Sequence, residues 1–140
     1  MMGNLQNLIS GTTWTLESFQ SQGKNGEIVY PLGKEAEGII AFTPEQIVSV
    51  HIMAVEDQSV GKGNFLTDAE EQMAELGYHA YAGKYQIDEA AETLDTHVAV
   101  SLLSSYIGTH QVRSVKLADG KLHLSNVQHP ERKLVWKRIE

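Results

Sequence analysis

Thr109-His110-Gln111-Val112-Arg113-Ser114-Val115-Lys116-Leu117, Ala118-Asp119-Gly120, Lys121-Leu122-His123-Leu124-Ser125: in this stretch polar and apolar residues alternate on both sides of an Asp-Gly pair. Period-two alternation marks half-buried strands, because successive side chains point to opposite faces of a sheet. Asp-Gly accepts the positive φ angles of a tight reversal, so the two runs read as a hairpin. With Ser114 and Lys116 in water, Gln111, Arg113, Val115 and Leu117 face inward.

The same pattern recurs on either side. Upstream, runs at Thr12 to Gln20, Gly38 to Phe42, Gln46 to Ala54, Ala80 to Ile87 and Thr93 to Leu103 all read as strands. In the first, Trp14, Leu16 and Ser18 share a face. Gly23-Lys24-Asn25-Gly26 reverses the chain, a short extended piece follows at Glu27 to Tyr30, and Thr43-Pro44-Glu45 makes a tight turn. Lys133 to Ile139 closes the series, with Leu134 and Trp136 on one face. Asp57 to Asn64 is a polar, glycine-rich loop. Thr67 to Leu76 is the one helix predicted, with Thr67 as N-cap, Glu70 as its capping-box partner and Gly77 as terminator. Glu70 and Glu71 are placed on its solvated face. About eight short strands joined by hairpin turns make an all-β sandwich or barrel, and an eight-stranded antiparallel β-barrel can enclose one small ligand.

The length of 140 residues suits a single domain, residues 1–140. The net charge of −7 argues against nucleic acid and anionic membranes as partners. Arg132, Lys133, Lys137 and Arg138 read as a solvated basic face. The chain has no cysteine, which removes disulfides, thiolate metal sites and cysteine nucleophiles and fits a cytoplasmic setting. Met1 to Ser10 lacks the pattern of a signal peptide, and no run of apolar residues is long enough to span a membrane.

Several blocks, in order, resemble one family. They are Gly11-Thr12-Thr13-Trp14-Thr15-Leu16-Glu17-Ser18-Phe19, Val29-Tyr30-Pro31-Leu32-Gly33, Gly38-Ile39-Ile40-Ala41-Phe42-Thr43-Pro44 and Ser49-Val50-His51-Ile52-Met53. Tyr81-Ala82-Gly83-Lys84-Tyr85, His97-Val98-Ala99-Val100-Ser101, Gly108-Thr109-His110-Gln111-Val112-Arg113 and Leu134-Val135-Trp136 continue the match. Together they resemble the lipocalin-like domains of bacteria and fungi. Two residues separate Gly11 from Trp14, where secreted lipocalins have one. The resemblance implies a calycin-type eight-stranded barrel with one short helix and an enclosed pocket. It implies ligand carriage in architecture, with some relatives similar to cyclases or isomerases, and transfers fold better than function.

Strand parity nominates the pocket. Tyr81, Tyr85, Gln111 and Arg113 face inward, with Trp14, Met53 and Trp136 as further walls. Two strands are ambiguous: His97, Ala99 and Ser101 oppose Val98, Val100 and Leu102, while Ser49, His51 and Met53 oppose Val48, Val50 and Ile52. Arg113 either anchors a ligand carboxylate or enolate, or stacks on Trp14 or Trp136 as a plug at the barrel base. His97 either moves a proton or is a core histidine bonded to Tyr81, Tyr85 or backbone.

None of His51, His79, His97, His110, His123 and His129 forms a tight pair on one element, so no metal is expected, and no cofactor. Gly61-Lys62-Gly63 lacks the context of a phosphate loop, and Gly-x-Ser-x-Gly is missing. Three functions remain. The first is binding of a small apolar or amphipathic molecule, by a monomer or homodimer. The second is a cofactor-free isomerase or cyclase in the same cavity. The third is an interaction module whose barrel is filled by its own side chains.

Overall fold

Residues 5–55 and 64–139 are described by the structure, a computed structural model. Most of the loop predicted at 57–64, including Gly61-Lys62-Gly63, lies outside the described residues. In chain order the strands are β1 (Thr13–Gln22), β2 (Ile28–Val29), β3 (Glu37–Phe42), β4 (Ile47–Met53), β5 (Tyr78–Asp88), β6 (Thr93–Ser101), β7 (His110–Ala118), β8 (Lys121–Asn126) and β9 (Lys133–Arg138). Helix α1 (Leu5–Ile9) precedes β1, α2 (Asp68–Leu76) separates β4 from β5, and a 3₁₀ turn (Ser104–Tyr106) follows β6. β1 pairs with both β3 and β9, so the antiparallel order β1-β3-β4-β5-β6-β7-β8-β9 closes into an eight-stranded barrel. β2 adds to β1 as an extra strand through Ser21↔Val29 and Gln22↔Ile28.

Local chemistry explains the reversals. Asp119 and Gly120 sit at φ 55° and 73°, as a two-residue I′ turn between β7 and β8 needs. The Thr43 hydroxyl accepts from Ile47 N at 3.1 Å and tightens the turn between β3 and β4. Thr67 caps α2 by accepting from Glu70 N at 3.2 Å, and Gly77, at φ 70°, returns its N–H to the Met73 carbonyl.

Two β-bulges set which residues face inward. The bulge between Leu16 and Ser18 turns Phe19 and Ser21 into the core, so Ser18 does not continue the face of Trp14 and Leu16. The second falls between Ala82 and Gly83, opposite Val98. A Cβ at Gly83 would collide with the His97 carbonyl oxygen, so this close approach needs glycine. The ambiguous strands resolve differently: in β4 the apolar face Val48, Val50 and Ile52 is buried, whereas in β6 Leu94, Thr96 and Val98 are buried but, past the bulge, Val100 and Leu102 are exposed.

A second helix, α1, joins the one predicted. Its first two N–H groups, of Leu5 and Gln6, donate to the Glu89 carboxylate at 2.9 and 3.0 Å. That residue sits on the turn after β5, so a distant part of the chain starts the helix. α1 packs Ile9 into the core beside one barrel end, and α2 packs Met73 into the other. Among the described residues no helix is long and apolar enough to cross a membrane.

Candidate functional site

Beneath α2 the barrel core becomes polar. A cavity of about 30 Å³ is walled by Phe19, Ile52, Met73, Leu124, Leu134 and Trp136, with His79, Tyr81, Arg113 and Arg132 as its polar lining. Space of that size holds a water molecule or two.

Arg132 comes from the turn that leads into β9. Its Nε donates to Glu70 Oε2 at 2.9 Å, its Nη2 to the Thr67 hydroxyl at 3.0 Å and its Nη1 to the Tyr106 hydroxyl at 3.5 Å. The Ser21 hydroxyl donates to the same Glu70 oxygen at 2.6 Å. Both members of this ion pair are buried, and they tie α2 to the barrel. Two expectations are corrected here. Glu70 is not a solvated capping-box residue, because its carboxylate leaves the helix terminus for a buried cation. Arg132 is not part of the basic surface, whereas Lys133, Lys137 and Arg138 are exposed.

Arg113 is placed by β7, whose parity turns it inward as expected; it is 5% exposed. Its Nη1 donates to the Val112 carbonyl and its Nη2 to Gln111 Oε1, both at 3.2 Å. Gln111 in turn donates from Nε2 to the Thr109 hydroxyl at 2.9 Å, so it aims the guanidinium. Tyr81 lines the same cavity. All these partners are neutral, and no carboxylate pairs with Arg113 among the described residues. Arg113 is not the cation–π plug of the base: Arg138 stacks on Trp14, 6.0 Å from the ring.

His79 lies between Tyr81 and Tyr106, with ring centroids 5.4 Å from each. Burial, with the nearby Arg113 and Arg132 charges, lowers its pKa to about 3, so the imidazole is neutral at physiological pH. Burial also raises the pKa of the Tyr81 phenol. Three buried polar atoms here have no partner among the described residues: His79 Nδ1, Trp136 Nε1 and Glu70 Oε1. An unpaired buried polar group is costly, so such groups mark places where an occupant would be stabilised.

The other nominated residues divide. Trp136, fully buried, lines the cavity. Tyr85 and Trp14 are buried but lie toward α1, outside the cavity lining. Tyr85 meets Gln6 Nε2 at 3.5 Å, and the Trp14 Nε1–H donates to the Thr12 hydroxyl at 2.8 Å. His97 and Met53 are on the outer wall, against expectation, because the inward positions of their strands are held by Val98 and Ile52. His97 stacks on His110, with rings 4.7 Å apart and 5° from parallel, and His110 Nδ1 lies 3.0 Å from Asp95 Oδ1. It therefore cannot move a proton inside the barrel. Met53, 43% exposed, borders an open groove of about 650 Å³ with Ile39, His51 and Tyr78.

Sequence reasoning missed His79, Arg132 and Glu70. Extending the Tyr81, Gly83, Tyr85 parity one step back would have placed His79 inside. Arg132 carries no periodic signal, since it sits in a turn.

The sequence model of the lipocalin-like domain family matches residues 11–139. No curated protein and no solved structure matches the chain.

Proposed function

Since the chain belongs to the lipocalin-like domain family, we propose that it binds a small, largely apolar molecule inside the barrel, with the molecule's polar end at Arg113. The observation that carries this reading is a buried guanidinium, on an interior cavity, with only neutral partners among the described residues. Burying an uncompensated charge is expensive, and an occupant able to meet it would offset that cost. Tyr81, Trp136 and the aliphatic walls supply the apolar surface, while Gln111 orients the cation.

The closed cavity of about 30 Å³ is too small for such a molecule. Binding therefore goes with displacement of α2, whose Met73 fills the space next to His79 and Arg113. α2 is a short cover, one capped helix held by the Glu70–Arg132 pair.

The test is native mass spectrometry of protein purified from its own host, with denaturing extraction of what co-purifies, and hydrogen exchange across 68–76 before and after delipidation. A bound small molecule whose loss slows exchange in α2, as the helix packs back over the barrel, supports the reading. An apo mass together with failure to bind any apolar probe would reject it. The small cavity favours one rival, a barrel filled by its own side chains. That rival predicts that Arg113→Leu folds, gains stability and changes no binding property.

A further inference from the structure

We infer that the barrel interior selects a monoanion: a single carboxylate or enolate on an otherwise apolar molecule, in preference to its neutral and doubly charged relatives. This rests on the interior-binding reading above and adds to it the charge of the ligand.

The inference comes from a charge balance. Three charged side chains are buried among the described residues: Glu70, Arg113 and Arg132. Glu70 and Arg132 form a closed pair, with Ser21, Thr67 and Tyr106 meeting further hydrogen-bonding capacity. One positive charge, that of Arg113, is left over. His79 adds no second charge, because its surroundings hold it neutral.

The unpartnered Trp136 Nε1 points the same way. Indole Nε1 only donates, so the unpartnered Trp136 Nε1–H calls for an acceptor. The guanidinium also only donates, and it has five N–H groups. A carboxylate offers two oxygens and about four acceptor sites, and takes an arginine fork in bidentate fashion. An alcohol or amide of the same shape would leave the charge unmet. A second carboxylate on the same molecule would face Phe19, Ile40, Val50 and Leu124, with no free cation among the described residues to receive it.

The experiment compares charge at constant shape. Decanoate, decan-1-ol and decanedioate are titrated calorimetrically below their aggregation concentrations, and naphthalene-2-carboxylate and its amide supply a second shape. The expected result, for at least one shape, is a monoacid bound tenfold or more tighter than its neutral analogue, with decanedioate weaker than decanoate. Arg113→Gln is expected to bring the acid-to-neutral ratio close to one while the neutral probe keeps its affinity. Should Arg113→Gln not fold, Arg113→Lys replaces it; a point charge without the fork is expected to lower the acid preference severalfold. Neutral probes that bind as tightly as the acids would overturn the inference and leave interior binding standing. Binding of neither shape would overturn both.

Discussion

The two ends of the barrel are closed by different physics. At the α1 end the closure is aromatic and aliphatic, and it includes several satisfied polar contacts. Trp14 donates to Thr12, Thr12 donates to the Ile9 carbonyl, Glu89 receives the first N–H groups of α1, and Phe42 meets Tyr85 edge-on at 5.4 Å. At the α2 end the closure rests on a buried ion pair and on two groups unmet among the described residues, a guanidinium without a counter-ion and a histidine with an idle nitrogen. The first end minimises free energy in the closed state. The second carries unmet polar capacity beneath a nine-residue helix. On the binding proposed above, the end with unmet capacity is the one through which the barrel would exchange its contents.

The largest expected effect should come from breaking the α1 end. Trp14→Ala removes a buried ring and is expected to cost about 5 kcal/mol, at the upper end of measured core truncations. Urea denaturation monitored by circular dichroism reads the loss. A cost below about 1 kcal/mol would mean that this end does not anchor the barrel.

At the α2 end, Arg132→Met strands a buried carboxylate. It should cost about 3 kcal/mol, near the lower bound for a broken buried pair because the short helix above can yield. The Glu70→Leu/Arg132→Met double variant is expected to recover most of that loss, since removing both charges together leaves none uncompensated. If the double variant is as unstable as the single one, the pair is not what holds α2.

The smallest effect sharpens the comparison through pH. His79 titrates near 6.5 when unfolded and about 3 when folded, so the unfolded state binds more protons between those values. Its contribution to stability is full above pH 6.5 and declines as pH falls toward 3, with a limiting slope of about 1.4 kcal/mol per pH unit. Measured from pH 6.5 to 5, the His79→Gln variant should show a flatter decline than the parent. Parallel declines would show that this end is wet and its histidine not desolvated.

Much of the α2 end was hidden from sequence reasoning for identifiable reasons. Arg113 was legible because β7 alternates without interruption from Gln111 to Leu117. Tyr81 and Tyr85 were legible for the same reason, though only Tyr81 reaches the cavity. His97 and Met53 were misplaced because two faces of near-equal character compete in their strands, and local composition cannot choose between them. The choice is made by packing: Val98 and Ile52 bury more apolar surface inside the barrel than His97 or Met53 would. Glu70 was misread because a capping-box spacing is a local signal, and a buried arginine 62 residues away outcompeted it.

By itself, then, the sequence determined the periods, turns and caps: the strand series, the Asp119-Gly120 hairpin and the α2 boundaries at Thr67 and Gly77. These depend on interactions within a few residues, which order along the chain already specifies. Only the tertiary structure decided where the bulges fall, which face of β4 and β6 turns inward, and that Glu70 meets Arg132 while Arg113 is left without a counter-ion among the described residues. Those outcomes depend on ring closure, which brings remote strands together and makes each side chain's cost a matter of what it meets across the barrel.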